Sequence, residues 1–134
     1  MMSIDVFSDA WAEQWKVRIN RSEAYAKAAQ DWVGALVMVQ DGGEGSQSPA
    51  VYADLRQGRC IEARAARPSD LEEADFVIAA SQETWKSLFG GALDPMFAVL
   101  QGRLQLRKGK TAELLPYAKA AREMVMAARD IDTR

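Results

Sequence analysis

Residues 75–114 read DFVIAASQETWKSLFGGALDPMFAVLQGRLQLRKGKTAEL, from Asp75 to Leu114, and hold a strand, two helices and a second strand with little chain between them. Phe76 to Ala80 is a short apolar run. Ser81 is a good N-cap and Glu83 suits the positive end of the helix that follows; Trp85, Leu88 and Phe89 then share one buried face. Gly90 and Gly91 stop that helix. Leu93-Asp94-Pro95 starts another, with an acidic cap and a proline at the first helical position, where its missing N–H costs nothing. Met96, Val99 and Leu100 form its apolar stripe, and Gly102 ends it. From Arg103 to Arg107 the period becomes two: Leu104 and Leu106 on one face, Arg103, Gln105 and Arg107 on the other, which predicts a half-buried strand.

Downstream, Thr111 can cap a turn, and Pro116 is placed at the first position of a closing helix over residues 116–130 whose apolar side is Tyr117, Ala121, Met124, Val125 and Ala128. Upstream, Asp70, Glu72, Glu73 and Asp75 read as a solvated acidic connector after Arg67-Pro68-Ser69. Before it lies the clearest hairpin. Val51, Ala53 and Leu55 alternate with Tyr52, Asp54 and Arg56; after Gln57-Gly58, Ile61, Ala63 and Ala65 alternate with Cys60, Glu62 and Arg64, which puts Cys60 on the outer face. Asp41 to Pro49, DGGEGSQSP, has the composition of a flexible, exposed hairpin loop. Ala35 to Gln40 suits a buried strand, although periodicity alone also allows a continuing helix. At the N-terminus, Phe7, Trp11 and Trp15 recur every four residues behind Ser8 and predict an amphipathic helix to about Ile19. A second helix is expected from Ser22 through Tyr25, Ala28, Ala29 and Trp32, closed by Gly34. The order is α+β.

A chain of 134 residues is expected to form one domain, residues 1–134, large enough to bury a core. With 49% hydrophobic and 27% charged residues it has the composition of a globular protein, and no apolar run reaches the length of a membrane span. The opening MMSIDVFSDAW lacks the basic and then apolar stretch of a secretory signal, and the single cysteine, Cys60, cannot form an internal disulfide; both point to the cytoplasm. A net charge of −2 argues against nucleic acid as a partner.

There is no histidine, which removes the commonest general base, the histidine-activated nucleophile pairs and the commonest transition-metal ligand. The acidic connector lacks the spacing of a calcium loop, and Gly42-Gly43-Glu44-Gly45 lacks the lysine and hydroxyl of a phosphate-binding loop. Ser81 and Lys86 have no activating partner in view, so hydrolase or acyltransferase chemistry is the weakest reading. Neither an enzyme, a metal nor a cofactor is expected. Arg103, Arg107, Lys108 and Lys110 read as a solvated strand face, or as contacts to anionic headgroups.

The succession DFVIAAS, SQETWKSLFGG, LDPMFAVLQGRLQL and a closing amphipathic helix resembles the sterol carrier protein-type lipid-binding domain. Leu93, Asp94, Pro95, Ala98, Gly102, Arg103, Leu104 and Leu106 match that family's pattern; after the strand, Lys108-Gly109-Lys110 stands where the family has a glycine and an acidic residue. The resemblance spans Trp32 to Val125. It implies a curved, largely antiparallel or mixed sheet of about five strands, covered by helices around an apolar pocket, with the closing helix as a lid.

From pattern alone Trp32, Trp85, Phe89, Met96, Phe97, Tyr117 and Met124 read as core. The resemblance makes Trp85, Phe89, Met96, Phe97 and Leu100 pocket walls, with Met124 from the lid, and methionine adapts to irregular shapes. An empty apolar void of about 300 Å³ would cost on the order of 7 kcal/mol, as much as a small domain's whole stability, so it should collapse, flood or fill. Burying about 15 methylenes would gain roughly 12 kcal/mol, enough to survive association and ordering losses. The leading expectation is a non-enzymatic carrier for a fatty acid, fatty acyl thioester, sterol-like or quinone-like lipid, with transient contact to a membrane surface. The alternative is an interaction module with a filled core that dimerises or serves a lipid- or quinone-metabolising enzyme; a surface stripe of Phe7, Trp11 and Trp15 would favour it.

Overall fold

In a computed structural model, which describes residues 5–41, 48–129 and 131, the central strand is β1 (Val33–Asp41), paired antiparallel with β2 (Ala50–Arg56). β3 (Arg59–Ala65) continues that side antiparallel. On the other side lie the parallel β4 (Phe76–Ser81) and the antiparallel β5 (Gln105–Lys108), for an order β3-β2-β1-β4-β5. The sheet is mixed, as the resemblance implies, and open. One face, carrying Leu36, Met38, Val51, Ala53, Leu55 and Phe76, packs on the main core. The opposite face, with Val37, Val39, Val77 and Ala79, forms a second, smaller cluster. Apolar residues therefore run continuously through β1 because both of its faces are covered.

Helices α1 (Asp9–Arg21), α2 (Glu23–Ala28), α4 (Gln82–Phe89), α5 (Pro95–Leu100) and α7 (Ala118–Ala127) contribute to the main core, as does the single turn α6 (Thr111–Leu114) through Leu114; α3 (Pro68–Glu73) precedes β4. The expected caps form: the hydroxyls of Ser8, Ser22 and Ser81 and the carboxylate of Asp94 accept amide hydrogens from the first turns they precede.

The β2–β3 turn also forms where expected. Gln57 and Gly58 have φ of +49° and +86°, the pair of left-handed conformations that suits a two-residue hairpin. A Cβ on Gly58 would meet the Ala26 carbonyl at 2.6 Å, so α2 can pack on the turn only over a glycine.

Several elements differ from the sequence-based expectation, each for a definable reason. Cys60 is buried, not outward, because the register passes from Asp54–Glu62 to Leu55–Cys60 and leaves Ile61 as an extra residue. Asn20 of α1 serves the backbone at this bulge: the Cys60 amide donates to its Oδ1 at 2.8 Å, and its Nδ2 donates to the Cys60 carbonyl at 2.9 Å. The second helix ends at Ala28 and does not continue to Trp32, since the Trp32 carbonyl accepts the Gln57 amide and strand pairing begins at Val33. Gly34 thus lies inside β1, where a side chain would crowd Asp75, whose carboxylate accepts the Ala35 amide at 2.8 Å.

The acidic connector is not merely solvated. Its Asp70 is buried, held by Arg64 through contacts of 2.5 and 3.0 Å, and also accepts the Arg67 amide at 2.7 Å, capping α3. Pro116 lies in a 3-10 turn, Leu115–Tyr117, and the α-helix proper starts two residues later at Ala118. Phe7, Trp11 and Trp15 form no surface stripe: each is 1% exposed, in the chain's own core. The flexible-loop expectation for residues 41–49 falls mostly on 42–47, outside the described residues.

Candidate functional site

An apolar cavity of about 40 Å³ lies between the sheet and the helices. Its floor is Leu36 and Met38 from β1, Ile78 from β4 and Leu104 at the approach to β5. The alternation of the strands sends these side chains to the helix-bearing face. Trp85 of α4 forms one wall and Pro95, Met96 and Val99 of α5 another; Leu114 of α6 and Ala121, Met124 and Val125 of α7 close the outside, with Trp32 at the margin.

Every side chain bordering this space is apolar, and no titratable group reaches it among the described residues. The indole N–H of Trp85 is already used, donating to the Val39 carbonyl at 2.9 Å, which ties α4 to β1. Water would find no hydrogen-bond partners inside. At the empirical cavity coefficient an empty space of this size costs only about 1 kcal/mol, which a small domain can carry.

Of the residues expected to form pocket walls, Trp85, Met96 and Met124 border the cavity. Phe89 instead joins an aromatic cluster with Phe7, Trp11 and Trp85, at ring-centroid distances of 5.6–6.2 Å from it. Phe97 and Leu100 face away, 55% and 76% exposed. A helix of six residues turns only one edge inward, and that edge is Pro95 and Ala98, flanked by Met96 and Val99. Leu36, Met38 and Ile78 also border the cavity, as does Val99, which the sequence places on the apolar stripe of its helix but not in the pocket wall. The first three lie in unbroken apolar runs, which mark a buried strand but do not distinguish cavity from solid core.

The basic set is divided. All four are exposed; Arg107 pairs with Asp41 at 2.6 Å and Lys108 donates to the Glu72 carbonyl, whereas Arg103 and Lys110 reach into solvent. Away from the cavity, Cys60 sits in an apolar setting that pushes its thiol up to about 12, chiefly through burial. Burial likewise raises the Tyr25 phenol, whose buried hydroxyl has no hydrogen-bond partner among the described residues. Among the described residues no three cysteine or carboxylate groups converge as a metal site, and no helix is long and apolar enough to cross a membrane.

Residues 13–116 match the family model described as the SCP-2 sterol transfer family. A crystal structure of sterol carrier protein 2 is 39% identical, with 95% of this chain and 99% of that chain covered and a TM-score of 0.85. A solution structure from Thermus thermophilus, of a conserved hypothetical protein described as possibly a sterol carrier protein, is 37% identical, covers 100% of this chain and 94% of that one, and has a TM-score of 0.84. Sterol carrier protein 2 from Yarrowia lipolytica, in its apo form, shares the fold at 16% identity, covering 88% of each chain with a TM-score of 0.60. None of the curated proteins matches.

Proposed function

This chain belongs to the SCP-2 sterol transfer family, and on that footing we propose that it binds and carries a fatty acid, fatty acyl thioester, sterol-like or quinone-like lipid without reacting with it. The ligand lies between the sheet and helices α4, α5 and α7. The observation that carries this reading is the unfilled space bordered only by apolar side chains, three of them the adaptable methionines Met38, Met96 and Met124.

A cavity of about 40 Å³ is a contracted form of the site, since pockets for small organic ligands run to about 300 Å³ or more. Loading therefore requires α5 and α7 to part from the sheet. The cost of opening is set against the apolar area a lipid chain buries, roughly 0.8 kcal/mol per methylene. Residues 116–130 act as the lid, with α7 as its helical part, and the cytoplasm is the compartment that suits the unpaired Cys60. Phe97 and Leu100, exposed on one edge of α5 next to Arg103, supply the transient contact with a lipid surface.

Native mass spectrometry of the gently purified protein, before and after adding each class of lipid, tests the reading. Stoichiometric lipid adducts are expected; repeated absence of both co-purified and added lipid would overturn it. With Phe7, Trp11 and Trp15 withdrawn into the core, the dimerisation stripe behind the interaction-module alternative is missing.

A further inference from the structure

Two side chains stand between the cavity and a neighbouring groove. A surface groove of about 150 Å³ runs between the α4–α5 connection and α7, and Pro95 and Val125 border both the groove and the cavity. Pro95 is buried, and Val125 is 8% exposed, its edge showing in the groove.

From the side of α7, Arg122, Val125, Met126 and Arg129 face this groove. Their spacing of three, four and seven residues keeps them on one face, two turns long. Arg129 lies two residues past the end of α7, in a closing turn where its amide donates to the Met126 carbonyl three residues back at 3.1 Å. The Arg122 side chain is 65% exposed, and its carboxylate neighbour, Oδ1 of Asp94, is 3.9 Å away. The other oxygen of Asp94 is already engaged by the amides of Met96 and Phe97, at 3.1 and 3.2 Å. Arg129 forms no ion pair with another described residue; its guanidinium lies over Gly91, where a Cβ would come within 3.8 Å. Among the described residues, two guanidinium groups thus face a groove that contains one carboxylate.

We propose that this groove is the entrance to the cavity, and that Arg122 and Arg129 hold the carboxylate of a fatty acid whose chain passes between Pro95 and Val125. This deepens the carrier reading and rests on it. The planar fork of a guanidinium presents two parallel N–H donors to the two oxygens of a carboxylate. Leu93 and Met126 flank the groove and suit the first methylenes. A fatty alcohol or sterol would place a single neutral hydroxyl between two cations, so the charge of the groove selects the acid.

Quenching of tryptophan by 16-bromohexadecanoic acid and by 16-bromohexadecanol at pH 8 tests the assignment, because Trp32 and Trp85 border the cavity. The wild type is expected to bind the acid at least tenfold more tightly than the alcohol. In R122Q/R129Q that preference disappears through loss of acid affinity, the alcohol being bound as before. Unchanged acid affinity in the double variant, with the alcohol still bound, would overturn the headgroup site and leave the carrier reading standing. Failure of both ligands to quench either protein would remove both. Val125→Phe, which narrows the partition while retaining both arginines, is expected to slow entry of acid and alcohol alike; unaltered entry rates would show that the chain passes elsewhere.

Discussion

Trp15 of α1 donates its indole N–H to the carbonyl oxygen of Met124 on α7, 2.9 Å away across 109 residues of sequence. The N-terminal helix thereby clasps the helix that closes the cavity, and does so at the residue whose side chain faces inward. Trp15→Phe removes the donor and part of the ring, and a destabilisation of about 1–3 kcal/mol is expected in urea unfolding. Amides of α7 should exchange faster in the same variant, and lipid uptake should be quicker, since the lid is less firmly held.

Ala121 borders the cavity from α7. Ala121→Val places two further methyl groups in space that is otherwise empty, so the ligand-free protein is expected to gain about 1 kcal/mol by thermal unfolding. The same change should lower lipid affinity, because the added methyls compete with the chain for room. Destabilisation with unaltered lipid binding would show that Ala121 does not border usable space.

The Asp70–Arg64 pair gives stability a pH dependence. The Arg64 guanidinium holds the Asp70 carboxyl below its ordinary value, with the Arg67 amide adding to the effect. A carboxyl depressed in the folded state stabilises the fold above its unfolded value, near pH 4, and that contribution is lost as pH falls through the folded value. Asp70→Asn is therefore expected to cost about 2–3 kcal/mol at pH 7 in denaturant titrations. The gap to wild type should be constant from about pH 6 to 8 and close progressively below pH 4.

The Cys60 thiol, pushed up to about 12 by burial and donating to the Glu62 carbonyl at 3.3 Å, should resist modification in the folded protein. Labelling by a thiol reagent at pH 8 is expected to follow global unfolding, with one equivalent reacting in denaturant. Rapid labelling of the native protein would mean that the bulge at Ile61 opens locally.

What the sequence conveyed and what it hid divide along the range of the interactions. Ser8, Ser22, Ser81 and Asp94 announce helix starts because a cap bonds within three residues of itself, and Gln57-Gly58 announces the hairpin because two successive left-handed residues are a local requirement. The face of Cys60 could not be read that way, since one extra residue in β3 inverts the alternation and the compensating partner, Asn20, lies 40 residues away. Phe7, Trp11 and Trp15 show an apolar stripe, but the rings that cover it, Trp85 and Phe89, belong to a distant helix. The site was legible in the same partial way. Trp85, Met96 and Met124 are expected at the pocket through the family resemblance and border the cavity, whereas Leu100 shares the expected stripe of Met96 and still faces outward, as does Phe97, because α5 is too short for both edges to be covered. Arg122 and Arg129 carry no motif; their relation to the cavity exists only through Pro95 and Val125.

That an acyl chain occupies the space between β1, α5 and α7 is tested most directly by NMR with carbon-labelled palmitate and methyl-labelled methionine. Intermolecular contacts are expected between the chain's distal methylenes and the ε-methyl groups of Met38, Met96 and Met124, which border the cavity. Palmitate bound with contacts confined to surface residues, or not bound at all, would contradict an internal lipid site.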